Sequence, residues 1–272
     1  MTLLAVPNVS EGRDPDAISA ISAALDARLL DVHSDADHNR TVFTLAGEPG
    51  QLAQAVLGGA REVLARVDIT KRAGVHPRVG ALDVAPIVHL DDARRGAAYA
   101  EALVLADLLG MELKLPVYLY GVLAGGRTRA ELRRPGALAE LKPDFGPDQL
   151  HPTAGAVLVA ARPPLVAFNV ELAPPGGETQ AREVAAAIRE GGAEGLLGVR
   201  AIGLWLEGRG VAQVSTNVED HCATPLARVV EAISRHAQIA GTELVGLAPR
   251  AAFDGFPDGV LVRNKRTIED AL

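Results

Sequence analysis

A single cysteine, Cys222, in 272 residues excludes an intramolecular disulfide framework and any cysteine cage for zinc or an iron–sulfur cluster. Aromatic residues make up only 3% and the net charge is −7, so the chain has little with which to stack bases or neutralise phosphates, and no nucleic-acid partner is expected. The longest run free of Asp, Glu, Lys and Arg, Gln149 to Ala161, contains Pro152 and falls short of the roughly 20 apolar residues of a membrane span. The opening MTLLAVPNVS has no basic region and too short an apolar run for a secretory signal, which predicts a cytoplasmic protein. Nucleotide signatures are missing as well: there is no Gly-Lys dipeptide for a phosphate loop and no Gly-x-Gly-x-x-Gly turn. A Gly-x-Ser-x-Gly elbow is also absent, which weakens a serine-hydrolase reading.

What is present is an ordinary globular composition, 48% hydrophobic and 22% charged, in a chain long enough for one large domain or two small ones. Apolar and amphipathic runs alternate most clearly in the second half. Leu165 to Leu172 reads as a buried strand, and Glu178 to Glu190 as a helix with Val184 and Ile188 on one face. The runs Val199 to Leu206 and Val211 to Val218 flank Glu207-Gly208-Arg209-Gly210 as a hairpin. A helix from Thr224, with Pro225 at its first position, to Ile239 precedes a last strand, Glu243 to Leu247. This β-α-β-β-α-β order is the split unit of ferredoxin-like folds.

The first half repeats much of that order. Strand Leu3 to Val6, helix Pro15 to Ala27, strands Leu29 to His33 and Thr41 to Ala46, and helix Gln51 to Val67 follow one another. A Gly- and Pro-punctuated stretch from Ala73 to Val88, a helix Asp91 to Leu109, a strand Val117 to Tyr120 and an ordered loop Asp144 to Gly155 are then added. Pro163-Pro164 marks a boundary, giving units 1–163 and 164–272. The predicted fold class is α/β (α+β), two ferredoxin-like subdomains with the first elaborated.

Three segments are too polar and punctuated for plain connections: Val6 to Arg13, His33 to Arg40, and Gly74 to Val84. In the third, Pro77 stiffens the backbone beside His76, and Arg78 disfavours an imidazolium, so His76 is a candidate general base. The second contains His33-x-Asp35-x-Asp37-His38, close in type to a metal cluster, and supports an alternative: a metal-dependent hydrolase completed by His76 or His89. Tyr118, Tyr120 and Trp205 sit at strand positions that suit the core better than a ligand platform.

The blocks VPNVSEGR, DADHNRTVFTLAG, GVHPRVGALDVAP, PVYLYG, PDFGP, AFNVEL, AQVSTNVEDHCATPL and GTELVGLAP, in this order from about Leu3 to Pro249, resemble those of the formiminotransferase family, the glutamate formimidoyltransferases. In animal members a cyclodeaminase domain follows; the length here resembles the free-standing bacterial form. The resemblance implies transfer of a formimino group from N-formimino-L-glutamate to tetrahydrofolate in histidine degradation, with formyl transfer sharing the same geometry. Also implied are two α/β subdomains flanking a charged tunnel, a homodimer, no metal and no membrane. By the same resemblance His76 is the catalytic acid/base. Folate contacts carry over to Gly146, Pro147, Asp148, Gln149, Leu150, His151, Pro152, Thr153, Ala154 and Gly155. His38, Asn39, Arg40, Arg78 and Asp83 are further substrate-binding candidates, with Arg40 and Arg78 as planar clamps for the carboxylates of both substrates. Animal members carry an acidic residue at His33 and Glu at Val75. If that acidic group orients the histidine, its role passes here to Asp35, Asp37 or Asp83, or is absent.

Overall fold

The structure is a computed structural model that describes residues 2–71 and 74–272; Met1, Arg72 and Ala73, the last being the start of the punctuated stretch, lie outside the described residues. The chain divides into two compact units, Met1–Pro163 and Pro164–Leu272, each with its own hydrophobic core.

In the first unit the strands are β1 (Leu3–Ala5), β2 (Asn8–Val9), β3 (Arg28–Asp35), β4 (Arg40–Gly47), β5 (Leu82–His89), β6 (Val117–Leu119) and β7 (Val157–Arg162). Its helices are α1 (Pro15–Ala24), α2 (Leu52–Arg66), α3 (Arg95–Glu112) and the short α4 (Arg129–Leu132) and α5 (Ala137–Glu140). β1 and β2 are one extended segment broken at Val6–Pro7, and both pair antiparallel with β4 and β5. With β3 on the far side of β4, this is the strand order of the split β-α-β-β-α-β unit. β7 and then β6 extend it parallel to β5, and this is the elaboration.

Local chemistry sets the helices. Asp14 accepts from the Asp16 and Ala17 N–H groups and Pro15 opens α1, while Ile21 buries inward. α2 has no cap of its own; the buried Glu101 of α3 accepts from the backbone N–H groups of Gly50 and Ala53 instead. Leu52, Val56, Leu57, Ala60 and Val63 of α2 and Ala98, Ala102, Leu105 and Leu109 of α3 line one core. A smaller apolar cluster, Val84, Tyr118, Tyr120, Leu132, Ala156, Leu158 and Ala160, takes in Leu132 of α4, with Leu138 of α5 against it.

Two central strands went unread in the sequence. β5 carries Pro86, which ordinarily argues against a central strand, but Pro86 lies level with the break at Val6–Pro7, where the Val6 N–H donates to its carbonyl at 3.0 Å. β7 is a continuous buried run with no alternation to mark it.

The second unit comprises β8 (Val166–Leu172), α6 (Glu178–Ile188), β9 (Val199–Leu206), β10 (Val211–Val218), α7 (Leu226–Ser234), β11 (Ile239–Val245), β12 (Val262–Arg263) and α8 (Ile268–Ala271). Its sheet order is β12-β11-β8-β10-β9, the expected split unit with β12 added parallel to β11. One helix is shorter than its periodicity suggests. Thr224 donates its hydroxyl to the Leu197 carbonyl rather than capping, Pro225 is the cap, and Ile239 already pairs with Leu172 as the start of β11. Among the described residues no helix is long and apolar enough to cross a membrane.

Candidate active site

The site grows from an irregularity in the first sheet. Asn8 pairs with Val84 but Val9 pairs with Leu82, so Asp83 is an extra residue on β5, a bulge that re-aims its side chain. The Asp83 carboxyl group is fully buried and accepts from Arg40 Nη1 at 2.7 Å, from Arg133 Nη2, and from the Val79 N–H at 2.7 Å. Burial alone pushes its pKa up, yet Arg133 and Arg40 outweigh that and hold it well below the usual carboxylate range.

Arg40 is committed within the protein rather than presented as a free clamp: its Nε and Nη2 both donate to Asn8 Oδ1, at 3.1 and 2.8 Å. Desolvation and the charges of Arg133 and Arg129 lower its pKa to about 10 against the pull of Asp83. Arg78 donates through Nη2 to the Gly74 carbonyl at 3.2 Å.

His76 is partly exposed, on a loop that docks on the 36–40 turn through the Val75 N–H and the Asp37 carbonyl. Gly74 allows the approach, because a Cβ there would stand 2.6 Å from the His38 carbonyl oxygen. Nδ1 of His76 lies 2.7 Å from the Pro77 carbonyl oxygen. A carbonyl can only accept, so Nδ1 carries the hydrogen and, in the neutral ring, Nε2 holds the lone pair. Desolvation, then Arg40 and Arg133, hold the imidazole pKa well below its ordinary value, with Asp83 pulling the other way. The direction of this shift favours the neutral ring, whose Nε2 can accept a proton.

The neighbouring candidates serve mainly to build. Asn39 is buried at φ 48°, in the left-handed region, and its Oδ1 accepts from the Gly12 N–H at 2.9 Å. Asp35 Oδ1 accepts from the backbone N–H of His38 at 2.8 Å, and the buried His38 ring stands 6.0 Å from that of His76. Among the described residues, no three His, Cys, Asp or Glu side chains gather where they could hold a metal ion, so His33, Asp35, Asp37 and His38 give the hydrolase alternative no support. Alternation puts His33 and Asp35 on one face of β3, whereas Asp37 and His38 lie beyond the strand, in the 36–39 turn.

The loop from Gly146 to Gly155 joins the histidine segment at one end. Gly80 bridges Gly155, Ala81 N–H donates to the Ala154 carbonyl at 2.9 Å, and Ala156 N–H to the Val79 carbonyl at 3.1 Å. His151 shapes the turn by accepting the Ala154 N–H on Nδ1 at 3.0 Å. Asp148, Gln149, Leu150 and Pro152 are exposed, whereas Ala154 and Gly155 are buried. Tyr118 is core, with its hydroxyl donating to the Leu138 carbonyl at 2.9 Å.

Sequence reading missed Arg133 and Arg129. They stand four residues apart at either end of α4, which opens on a Thr128/Glu131 capping box, a T-x-x-E signal legible in the chain.

Sequence comparison settles the family. The profile of the formiminotransferase domain's N-terminal subdomain matches residues 2–162, and that of the formiminotransferase domain matches residues 167–267. The chain belongs to the formiminotransferase family. It is 38% identical to the formimidoyltransferase-cyclodeaminase of Mus musculus over 91% of this chain and 50% of that one, so it spans about half the length of that relative. Identity to the glutamate formimidoyltransferase of Streptococcus pyogenes serotype M1 is 36%, covering 91% of this chain and 89% of that protein. The glutamate formimidoyltransferase of Thermoplasma acidophilum is 32% identical, over 96% and 95%.

Proposed function

We propose that the chain is a glutamate formimidoyltransferase, moving a formimino group from N-formimino-L-glutamate to tetrahydrofolate as co-substrate. The observation that carries this reading is a neutral His76 with its Nε2 lone pair free, set among Arg40, Arg133 and Asp83 in a family of formiminotransferases. Nε2 takes the proton released as the reduced pterin nitrogen bonds to the amidine carbon. His76 then returns it to the glutamate nitrogen as the old carbon–nitrogen bond breaks, so the enzyme ends in its starting protonation state. The surplus cations favour substrates that end in carboxylates. The segment Gly146–Gly155, bridged to the histidine loop, is the proposed folate contact, and the two units act as the two subdomains of one transferase. The same reading carries a cytoplasmic homodimer.

The test is His76→Ala in a spectroscopic formimino-transfer assay. A proton-transfer residue contributes about 10²- to 10⁴-fold, so kcat falls by that factor while folate affinity changes little. Near-normal turnover in this variant ends the assignment.

A further inference from the structure

We propose that Arg133, seconded by Arg129, holds the α-carboxylate of the amino-acid donor, an assignment that rests on the transferase reading above. In an N-formimino α-amino acid the departing nitrogen and the α-carboxylate are bonded to the same carbon. The cation that binds this carboxylate must therefore lie beside the group that returns the proton.

Arg133 meets that demand. Its Nη2 shares the Asp83 carboxylate with the N–H of Val79, on the same loop as His76, and its charge is among those that lower the His76 pKa. Its Nη2 donates to Asp83, but its Nε is buried with no hydrogen-bond partner. An unsatisfied buried donor is costly, and one on a guanidinium calls for an anion. The charge count agrees: Asp83 answers Arg40 and Arg133 through the same oxygen, and Arg129 adds a third positive charge felt by Arg40. Arg129 lies over the Tyr120 ring, 5.7 Å from its centroid, and Tyr120 is only 6% exposed with a hydroxyl that also has no partner. Two buried donors without partners thus lie beside the surplus charge. Arg40, by contrast, spends its Nε, Nη1 and Nη2 donors on Asn8 and Asp83.

The experiment compares N-formimino-L-glutamate with N-formimino-4-aminobutyrate, which lacks only the α-carboxylate, in wild type, Arg133→Lys and Arg133→Gln, with tetrahydrofolate as acceptor. Wild type prefers the glutamate donor by about 100-fold in kcat/KM, the worth of a charge-assisted pair. Arg133→Lys keeps a charge opposite Asp83, and so keeps the fold, but lacks the Nε donor. It should lose about 10-fold or more of that preference through donor KM, with the KM for tetrahydrofolate unchanged. Arg133→Gln should lose nearly all of it. Preference retained in both variants, or equal loss for both donors, overturns the Arg133 assignment and leaves the transferase reading standing. Wild type inert toward every formimino donor overturns that reading, and the assignment falls with it.

Discussion

Asp83→Asn is the sharpest structural perturbation, because one buried oxygen answers two guanidinium groups. Asparagine keeps the volume and can still accept the Val79 N–H, but its amide group aims donors at Arg40 and Arg133. At an effective dielectric of about 20, each contact near 4 Å is worth roughly 4 kcal/mol. Two such contacts give roughly 8 kcal/mol, from which the several kcal/mol no longer needed to desolvate the carboxylate are subtracted. The net loss is about 3–5 kcal/mol. At roughly 2–4 °C per kcal/mol for a unit of this size, Tm falls by about 10 °C. Calorimetry on the full chain reads this directly. The sign with pH is fixed by the depressed native pKa of Asp83. Its contribution is fully present above the unfolded value near 3.9 and is lost as pH falls through the folded one, so the gap between wild type and variant stays constant from about pH 5 to 8 and narrows only below about pH 4. A variant within about 2 °C of wild type at pH 7, or a gap that narrows near neutrality, refutes the reasoning.

The depressed His76 pKa places the acid limb of the kcat/KM profile well below pH 6.5, and losing the Asp83 charge moves it lower still; a limb at or above 6.5 contradicts the electrostatics described. In Gly80→Ala the new Cβ would stand 1.8 Å from the Ala156 carbonyl oxygen and 2.7 Å from that of Ala154. The bridge to Gly155 must then open, costing roughly 1–3 kcal/mol, with faster amide exchange at Ala81 and a raised KM for tetrahydrofolate; unchanged exchange would show the two segments to be independent.

The second unit was nearly readable from its chain because its strands alternate and its hairpin is marked by Gly208 and Gly210, so period and turn chemistry agree. The first unit hid its centre. β5 and β7 are buried on both faces and lose alternation, and Pro86 looks forbidding until the break at Val6–Pro7 supplies its tolerance. His76 was legible because its neighbours are local: Pro77, Arg78 and the flanking glycines all lie within a few residues. Arg133 was not, since what singles it out is a bond to Asp83 fifty residues away. Likewise, Arg40 looked like a clamp only while Asn8 and Asp83 were out of sight.

The group at Nδ1 of His76 is a backbone carbonyl, which residue type alone does not reveal. Sequence reasoning left the orienting acid as Asp35, Asp37 or Asp83, or absent; Nδ1 meets the Pro77 carbonyl, Asp35 accepts from the His38 backbone, and Asp83 from its arginines. The difference is chemical. A carboxylate on Nδ1 fixes the tautomer and also stabilises the imidazolium, raising the pKa. A neutral carbonyl fixes the tautomer while adding no charge, and desolvation, followed by the surrounding cations, presses the pKa down. In the proposed transfer the base has to surrender the same proton to a departing nitrogen, so an imidazolium that is not over-stabilised suits the second half of the step as well as the first. In the proposed mechanism the orientation of His76 comes from the backbone, through the carbonyl of the proline that follows it.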